Sequence, residues 1–274
     1  MASQPKTLRY PVLKVLQENE IYNPQEEIIT TPDGEHNRLL SINVIDKIHP
    51  SWRPFLIEKG LRINERMKQA FMTAYTNGFT IRPNAEDVFN VFNMPLNSVR
   101  AVIVGQDPYP GWDQETKKPK ACGYAFATLS KETPPSLQRI RVAITNEFGP
   151  ITIIDKENPN ALRGWINQGV LLLNNTPLLF IQGGTEDQNS ETSPRIRSLL
   201  TFPSNIWRGI TASICKEITT INPNCPFILM GKEAEYLSRI VSKSTITHHP
   251  STRSECDFDG KCFTNIPTID WTKM

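Results

Sequence analysis

The sequence predicts an α/β fold: a central four-stranded parallel twisted sheet, flanked by helices on both faces, with a crevice at the carboxyl ends of its strands. Three observations predict it. Short, continuous apolar runs alternate with segments of helical periodicity, the pattern of a parallel sheet covered on both sides. Each apolar run stops abruptly at a Gly, Asn or His amid polar residues. The 274 residues suffice for a sizeable core, and no apolar run approaches the roughly 18 residues of a membrane span.

Residues 1–50 have Pro, Asn and Glu clusters and weak periodicity, which predicts an appended, partly loose segment ahead of a domain at 51–274. "LIEKGLRINERMKQAFMTAYTNG" (56–78) spaces Leu61, Ile63, Met67, Phe71 and Ala74 as on a helix and stops near Gly78. "VRAVIVG" (99–105) reads as a buried strand. "PPSLQRIRVAITNEFG" (134–149) opens on prolines and a serine, as helices do. "GVLLLN" (169–174) is a second strand and "NIWRGITASICKEITTI" (205–221) a helix. "PFILMG" (226–231) is a third strand, "KEAEYLSRIVS" (232–242) a helix and "STITHH" (244–249) a fourth strand. Residues 112–122 and 183–195 are polar and turn-rich, and read as surface loops.

The five cysteines, at 122, 215, 225, 256 and 262, are odd in number and form no CxxC, which favours free thiols over a disulfide framework. His248, His249, Cys256 and Cys262 match no usual zinc spacing, so no metal is expected. The N-terminus lacks the apolar stretch of a secretory signal, so an intracellular protein is expected. Formal net charge is +2. Residues 1–50 carry 5 Lys/Arg against 7 Asp/Glu, so the rest is mildly basic, which permits a polyanionic partner.

The strand ends carry the chemistry. The first leads into Gly105-Gln106-Asp107-Pro108-Tyr109, the second ends at Asn174, the third at Gly231-Lys232, the fourth at His249-Pro250-Ser251. Carboxyl ends of parallel strands line one crevice, where ligands bind. Asp107, Tyr109, Asn174 and His249, far apart in sequence, are therefore expected to converge. Asp and His supply an acid/base or electrostatic pair, and Asn can read an amide-like edge. Prolines on both sides stiffen the Asp-Pro-Tyr loop. Taken singly, Asp107 reads as a turn residue, His249 as a structural histidine and Phe126 as core; the joint pattern carries the functional reading.

Seven segments in register resemble the family-1 uracil-DNA glycosylases over residues 51–274: "DVFNVF" (87–92), "GQDPYP" (105–110), "GYAFA" (123–127), "PPSL" (134–137), "QGVLLLN" (168–174), "HPSTRS" (249–254) and "PTIDW" (267–271). The resemblance implies that Asp107 positions water and favours a cationic sugar. It implies that Tyr109 crowds C5 of the base, Phe126 stacks on uracil, Asn174 reads its Watson–Crick edge and His249 bonds O2. Gln106 would act mainly through its backbone amide. Pro134, Pro135 and Ser136 would form a phosphate-contacting loop. Gly231 and Lys232 would form a second DNA-contacting loop, and Pro250, Ser251 and Arg253 the minor-groove loop. The implied reaction flips uracil out of DNA and hydrolyses its N-glycosidic bond without metal or cofactor. The implied agent is a monomer in nucleus or cytoplasm.

Three positions depart from the family pattern. Pro110 stands where most members have His, Arg253 where most have an intercalating Leu, and Gly231-Lys232 where Gly-Ser is usual. Pro110 and Arg253 resemble poxvirus-type members. Two other readings stay open here. One is a glycosylase-fold DNA-binding subunit of replication with weak or vestigial catalysis, meeting a replication protein through residues 1–50 or 183–195. The other is a small-molecule hydrolase, although no GxSxG, GxGxxG or P-loop is present.

Overall fold

The structure, a computed structural model, describes residues 11–14, 26–30, 36–43, 48–58, 79–182, 201–251 and 258–274. The first strands are β1 (Pro11–Lys14), β2 (Glu26–Thr30) and β3 (His36–Asn43), which pair among themselves in the order β1-β3-β2. Then come β4 (Phe79–Arg82), β5 (Ala101–Gly105) and the two-residue strands β6 (Trp112–Asp113) and β7 (Lys118–Pro119). Helices α1 (Pro135–Phe148) and α2 (Arg163–Asn167) precede β8 (Val170–Asn174) and β9 (Leu179–Gln182). Helix α3 (Thr201–Ile221), β10 (Phe227–Met230), the single turn α4 (Lys232–Glu235) and β11 (Ser244–Thr247) follow.

The four apolar runs form one sheet of order β11-β10-β5-β8, parallel throughout. The chain leaves β5 toward β8 on one side and β10 toward β11 on the other. The carboxyl ends of β5 and β10 therefore flank the point where the connections diverge, which opens a crevice there.

Strand alternation builds two cores. Val102, Val104, Leu171, Leu173, Phe227 and Leu229 face one cluster with Trp207, Ile210, Ile214 and Ile218 of α3. Ala101, Ile103, Val170, Leu172, Ile228 and Met230 face the other, with Leu137, Ile140, Ala143 and Ile144 of α1. Successive residues point to opposite faces, so a strand buried on both must be apolar at every position. The second core also holds the "PTIDW" segment. Trp165 Nε1 donates to Trp271 O at 2.9 Å, and the Phe263 ring lies 4.8 Å from that of Trp271.

The expected helix at 232–242 is cut short. Only Lys232–Glu235 is α-helical, and Tyr236–Arg239 tightens to a 3-10 turn. Residues 59–78 of the expected helix at 56–78, the loop 183–195, Arg253 and Cys256 lie outside the described residues. Cys122, Cys215, Cys225 and Cys262 are free and buried, and burial pushes the Cys122 and Cys262 thiols up to about 12. No described helix is long and apolar enough to cross a membrane.

Candidate functional site

The site starts where β5 and β8 run out together. Gly105 is paired in register with Asn174. The ladder continues past both: Asn175 N donates to Gly105 O at 2.9 Å and Thr176 N to Gln106 O at 3.0 Å. These bonds pin the first residues of the Gln106-Asp107-Pro108-Tyr109 loop to the end of β8. Gly105 sits where a side chain would crowd its neighbours. A Cβ there would stand 3.1 Å from Asn174 Oδ1 and 3.1 Å from Phe126 Cε2. The same contacts show that Phe126, Asn174 and the start of the Asp107 loop meet at one point. Asn174 is 8% exposed and Phe126 7%.

The wall around that point is tied from several sides. Tyr109 donates its hydroxyl to Phe126 O at 2.9 Å, which joins the two aromatic residues. Burial pushes the Tyr109 phenol far up, so it stays protonated and donating. Phe126 holds a left-handed backbone, φ 61°, rare for an aromatic residue. Its segment is anchored on both flanks. Ala125 N donates to Leu172 O at 2.9 Å, and Asn90 Nδ2 of the "DVFNVF" stretch donates to Cys122 O at 3.1 Å. Arg82, at the end of β4, donates from Nε to Pro110 O at 3.2 Å and stacks its guanidinium 4.9 Å over the Trp112 ring. The far end of the Asp107 loop is thus tied down as well.

His249 closes the pocket from the β10–β11 side. Its ring centroid lies 5.6 Å from that of Phe126. Its Cβ approaches Gly231, φ 89°, so closely that a side chain there would meet it at 3.1 Å. The Ser251 amide donates to His249 Nδ1 at 3.1 Å. A nitrogen that accepts must carry a lone pair, so the neutral ring bears its proton on Nε2 and is a donor there.

The rim comes from α1 and the segment after β11. Pro134 is buried and caps α1, Pro135 is exposed and Ser136 half-buried in the first turn. Arg139, on the face of Ser136 one turn on, donates from Nη1 to Ser251 O at 2.5 Å. That bond brings Ser136 and Ser251 to the same edge. Arg141 binds Thr133 Oγ1 at 3.2 Å and Pro159 O at 2.6 Å. Buried Asn160 binds Thr133 and the Ser130 carbonyl, so the approach to Pro134 is fixed. Gly231 opens the turn that exposes Lys232.

The structure therefore brings together Gln106, Asp107, Tyr109, Phe126, Asn174, Gly231 and His249 around the crevice, with Pro134, Pro135, Ser136, Pro250 and Ser251 on its rim. Sequence reading missed Arg82, Arg139 and Asn160, which act through long-range contacts and carry no local signal. It also read 112–122 as a loop, whereas β6 and β7 pair there as a hairpin, Trp112 opposite Pro119 and Asp113 opposite Lys118.

A parallel sheet whose divergent crevice is bordered by the Asp107 loop, the Phe126 ring, the Asn174 amide and the His249 imidazole defines an α/β enzyme pocket suited to a flat, hydrogen-bonding group. Relatives narrow the class. The chain is 32% identical over 229 residues to the uracil-DNA glycosylase of Campylobacter concisus, covering 81% of this chain and 88% of that one. It is 33% identical over 171 residues to that of Mycoplasma genitalium, covering 59% and 63%. Among solved structures, mimivirus uracil-DNA glycosylase superposes with a TM-score of 0.57 at 23% identity, over 78% of this chain and 73% of that one. No protein-family model matches the chain. The chain belongs to the uracil-DNA glycosylase family.

Proposed function

We propose that the protein removes uracil from DNA by hydrolysing the N-glycosidic bond, with the pocket residues in the following roles. A base inside a duplex is out of reach, so the nucleotide is extruded into the crevice. Phe126 stacks on the uracil ring, and Asn174 reads the hydrogen-bonding edge with a donor and an acceptor. The ring of Tyr109 blocks the position where thymine carries a methyl. A favourable apolar contact discriminates one methyl only about 10–200-fold; a rigid clash excludes it better.

As the bond from C1′ to the base nitrogen breaks, its electron pair leaves with uracil and positive charge builds on the sugar. Asp107 faces the cation, and His249 Nε2–H faces the developing anion at O2. Fixed charges and donors aimed at where charge develops lower the barrier. Water adds to C1′ and gives a proton to Asp107, which releases it to solvent, while the departed uracil anion takes one up. The products are free uracil and an abasic site. Ser136, Ser251 and Lys232 hold flanking phosphates.

The observation that carries this reading is the meeting of Asn174 and Phe126 over Gly105 with His249 beside them, its donor nitrogen set by Ser251. The test is base release from an oligonucleotide with one deoxyuridine, wild type beside Asp107→Asn, with a thymine control. Release of uracil by wild type, lost in Asp107→Asn with thymine untouched, is the expected result. Equal release by both would remove Asp107 from the mechanism. DNA binding with no release by wild type would leave only a binding subunit.

A further inference from the structure

The hairpin β6–β7 is inserted between the Asp107 loop and the Phe126 segment. Its entry is Gly111, the residue after Pro110, and Lys120 N closes its base by donating to Gly111 O at 3.0 Å. Its exit leads within six residues to Phe126, and Ala121 bridges Thr128 on the way. The hairpin therefore leaves the chain just after Tyr109 and rejoins it just before Phe126, two residues that are themselves joined by a hydrogen bond.

It is also fastened to the strand of chain that becomes the Pro134-Pro135-Ser136 loop. Lys120 Nζ lies 2.6 Å from Glu132 Oε2, and Lys131 Nζ 3.4 Å from Glu115 Oε1. Asp113 bonds Ser130 and, through Oδ1, the amide and hydroxyl of Thr116 at 2.7 and 2.9 Å. These contacts consume the hairpin's acids and Lys120. Lys117 and Lys118 remain: both are exposed, and among the described residues neither forms an ion pair. The Lys117 ammonium contacts only a neutral group, Gln114 Oε1 at 3.3 Å. Lys117 also occupies a left-handed turn position, φ 53°, where Gly or Asn would sit more easily. Two unneutralised cations are thus held on a stiff platform joined to the pocket on one side and the phosphate loop on the other.

We propose that this hairpin is an additional nucleic-acid clamp, in which Lys117 and Lys118 bind backbone phosphates flanking the extruded nucleotide. The assignment rests on the DNA-acting reading of the pocket. A lysine ammonium meets phosphate as a point charge without reading sequence, so the clamp adds affinity and salt dependence but no base preference.

The test is binding of a labelled uracil-free duplex between 50 and 200 mM salt, alongside uracil release. The variants are Lys117→Ala/Lys118→Ala, Lys117→Arg/Lys118→Arg, and Lys216→Ala/Lys243→Ala as an equal charge change on α3 and at the entry to β11. Each lost phosphate contact lowers the slope of log affinity against log salt by about 0.9. The hairpin alanine pair is expected to lower it by about 2, weaken binding several-fold and raise KM, with kcat unchanged. The arginine pair is expected to restore the slope. A slope equal to wild type, or equal to that of the control pair, would overturn the clamp. If wild type binds DNA with the hairpin-dependent slope but releases no uracil, the clamp stands and the catalytic reading falls. If wild type binds no DNA, both fall.

Discussion

The amide of Ser251 donates to Nδ1 of His249 at 3.1 Å. That single bond settles which nitrogen of the ring faces outward with a hydrogen. Because Ser251 is itself held by Arg139 of α1, the donor direction is built into the scaffold before any substrate arrives.

Replacing His249 by Ala removes a fixed donor from the site of developing negative charge. Uracil release in single-turnover assays is expected to slow by roughly 10²–10³-fold, while affinity for uracil-free DNA stays near wild type. A loss in affinity with an unchanged chemical rate would move His249 from leaving-group stabilisation to simple DNA contact.

A methyl at Gly105 would press on Asn174 Oδ1 and Phe126 Cε2, each 3.1 Å away. Gly105→Ala is expected to cost about 1–3 kcal/mol of stability as overpacking and to displace the two side chains that grip the base. The signature is a folded protein with raised KM for the uracil substrate. Wild-type KM would show that the two side chains need not be so close.

Tyr109 acts by its ring and its hydroxyl separately. Tyr109→Phe loses the bond to Phe126 O, about 1 kcal/mol, and keeps the ring, so thymine stays excluded. Tyr109→Ala opens the wall, and thymine release from a normal duplex is expected to become measurable. Thymine release by the Phe variant would assign exclusion to the hydroxyl instead. Because burial holds the phenol far above its ordinary range, ultraviolet titration is expected to show no Tyr109 ionisation until the protein unfolds.

Asp113 links the hairpin to Ser130, and these hydrogen bonds hold its carboxyl down at about 2, from 3.8. A carboxyl lowered in the folded state stabilises fully above its unfolded pKa and loses that contribution as pH falls through the folded value. Melting temperature should therefore fall between about pH 4 and pH 2. Asp113→Asn, which keeps the shape without the charge, is expected to be less stable at pH 7 and to converge with wild type near pH 2. Parallel melting curves at every pH would show that the carboxylate adds nothing.

Much of this molecule was legible locally. Runs such as Ala101–Val104, Val170–Leu173 and Phe227–Met230 are apolar at every position because both sheet faces are covered. The breaks at Gly105, Asn174 and Gly231 marked the strand ends for the same reason. The end of α1 at Gly149, φ 89°, was readable from the glycine alone. The hairpin at 112–119 was not. Its strands are two residues long, and it is held by Asp113, Lys120 and Lys131 reaching residues up to 17 positions away. The pairing of β4 with β9 spans about a hundred residues and leaves no trace in either segment's periodicity.

The sequence by itself determined the parallel sheet, its two apolar faces and the set of side chains at its carboxyl edge, because periodicity and abrupt polar stops are local properties of the chain. Only the tertiary structure decided the strand order that opens the crevice beside β5 and β10, the crowding of Phe126 and Asn174 onto Gly105, and the tautomer of His249. Those depend on which distant backbone amide, carbonyl or side chain arrives within hydrogen-bond or van der Waals reach, and a contact between residues 105 and 174, or 139 and 251, is set by packing of the whole fold rather than by any stretch of it.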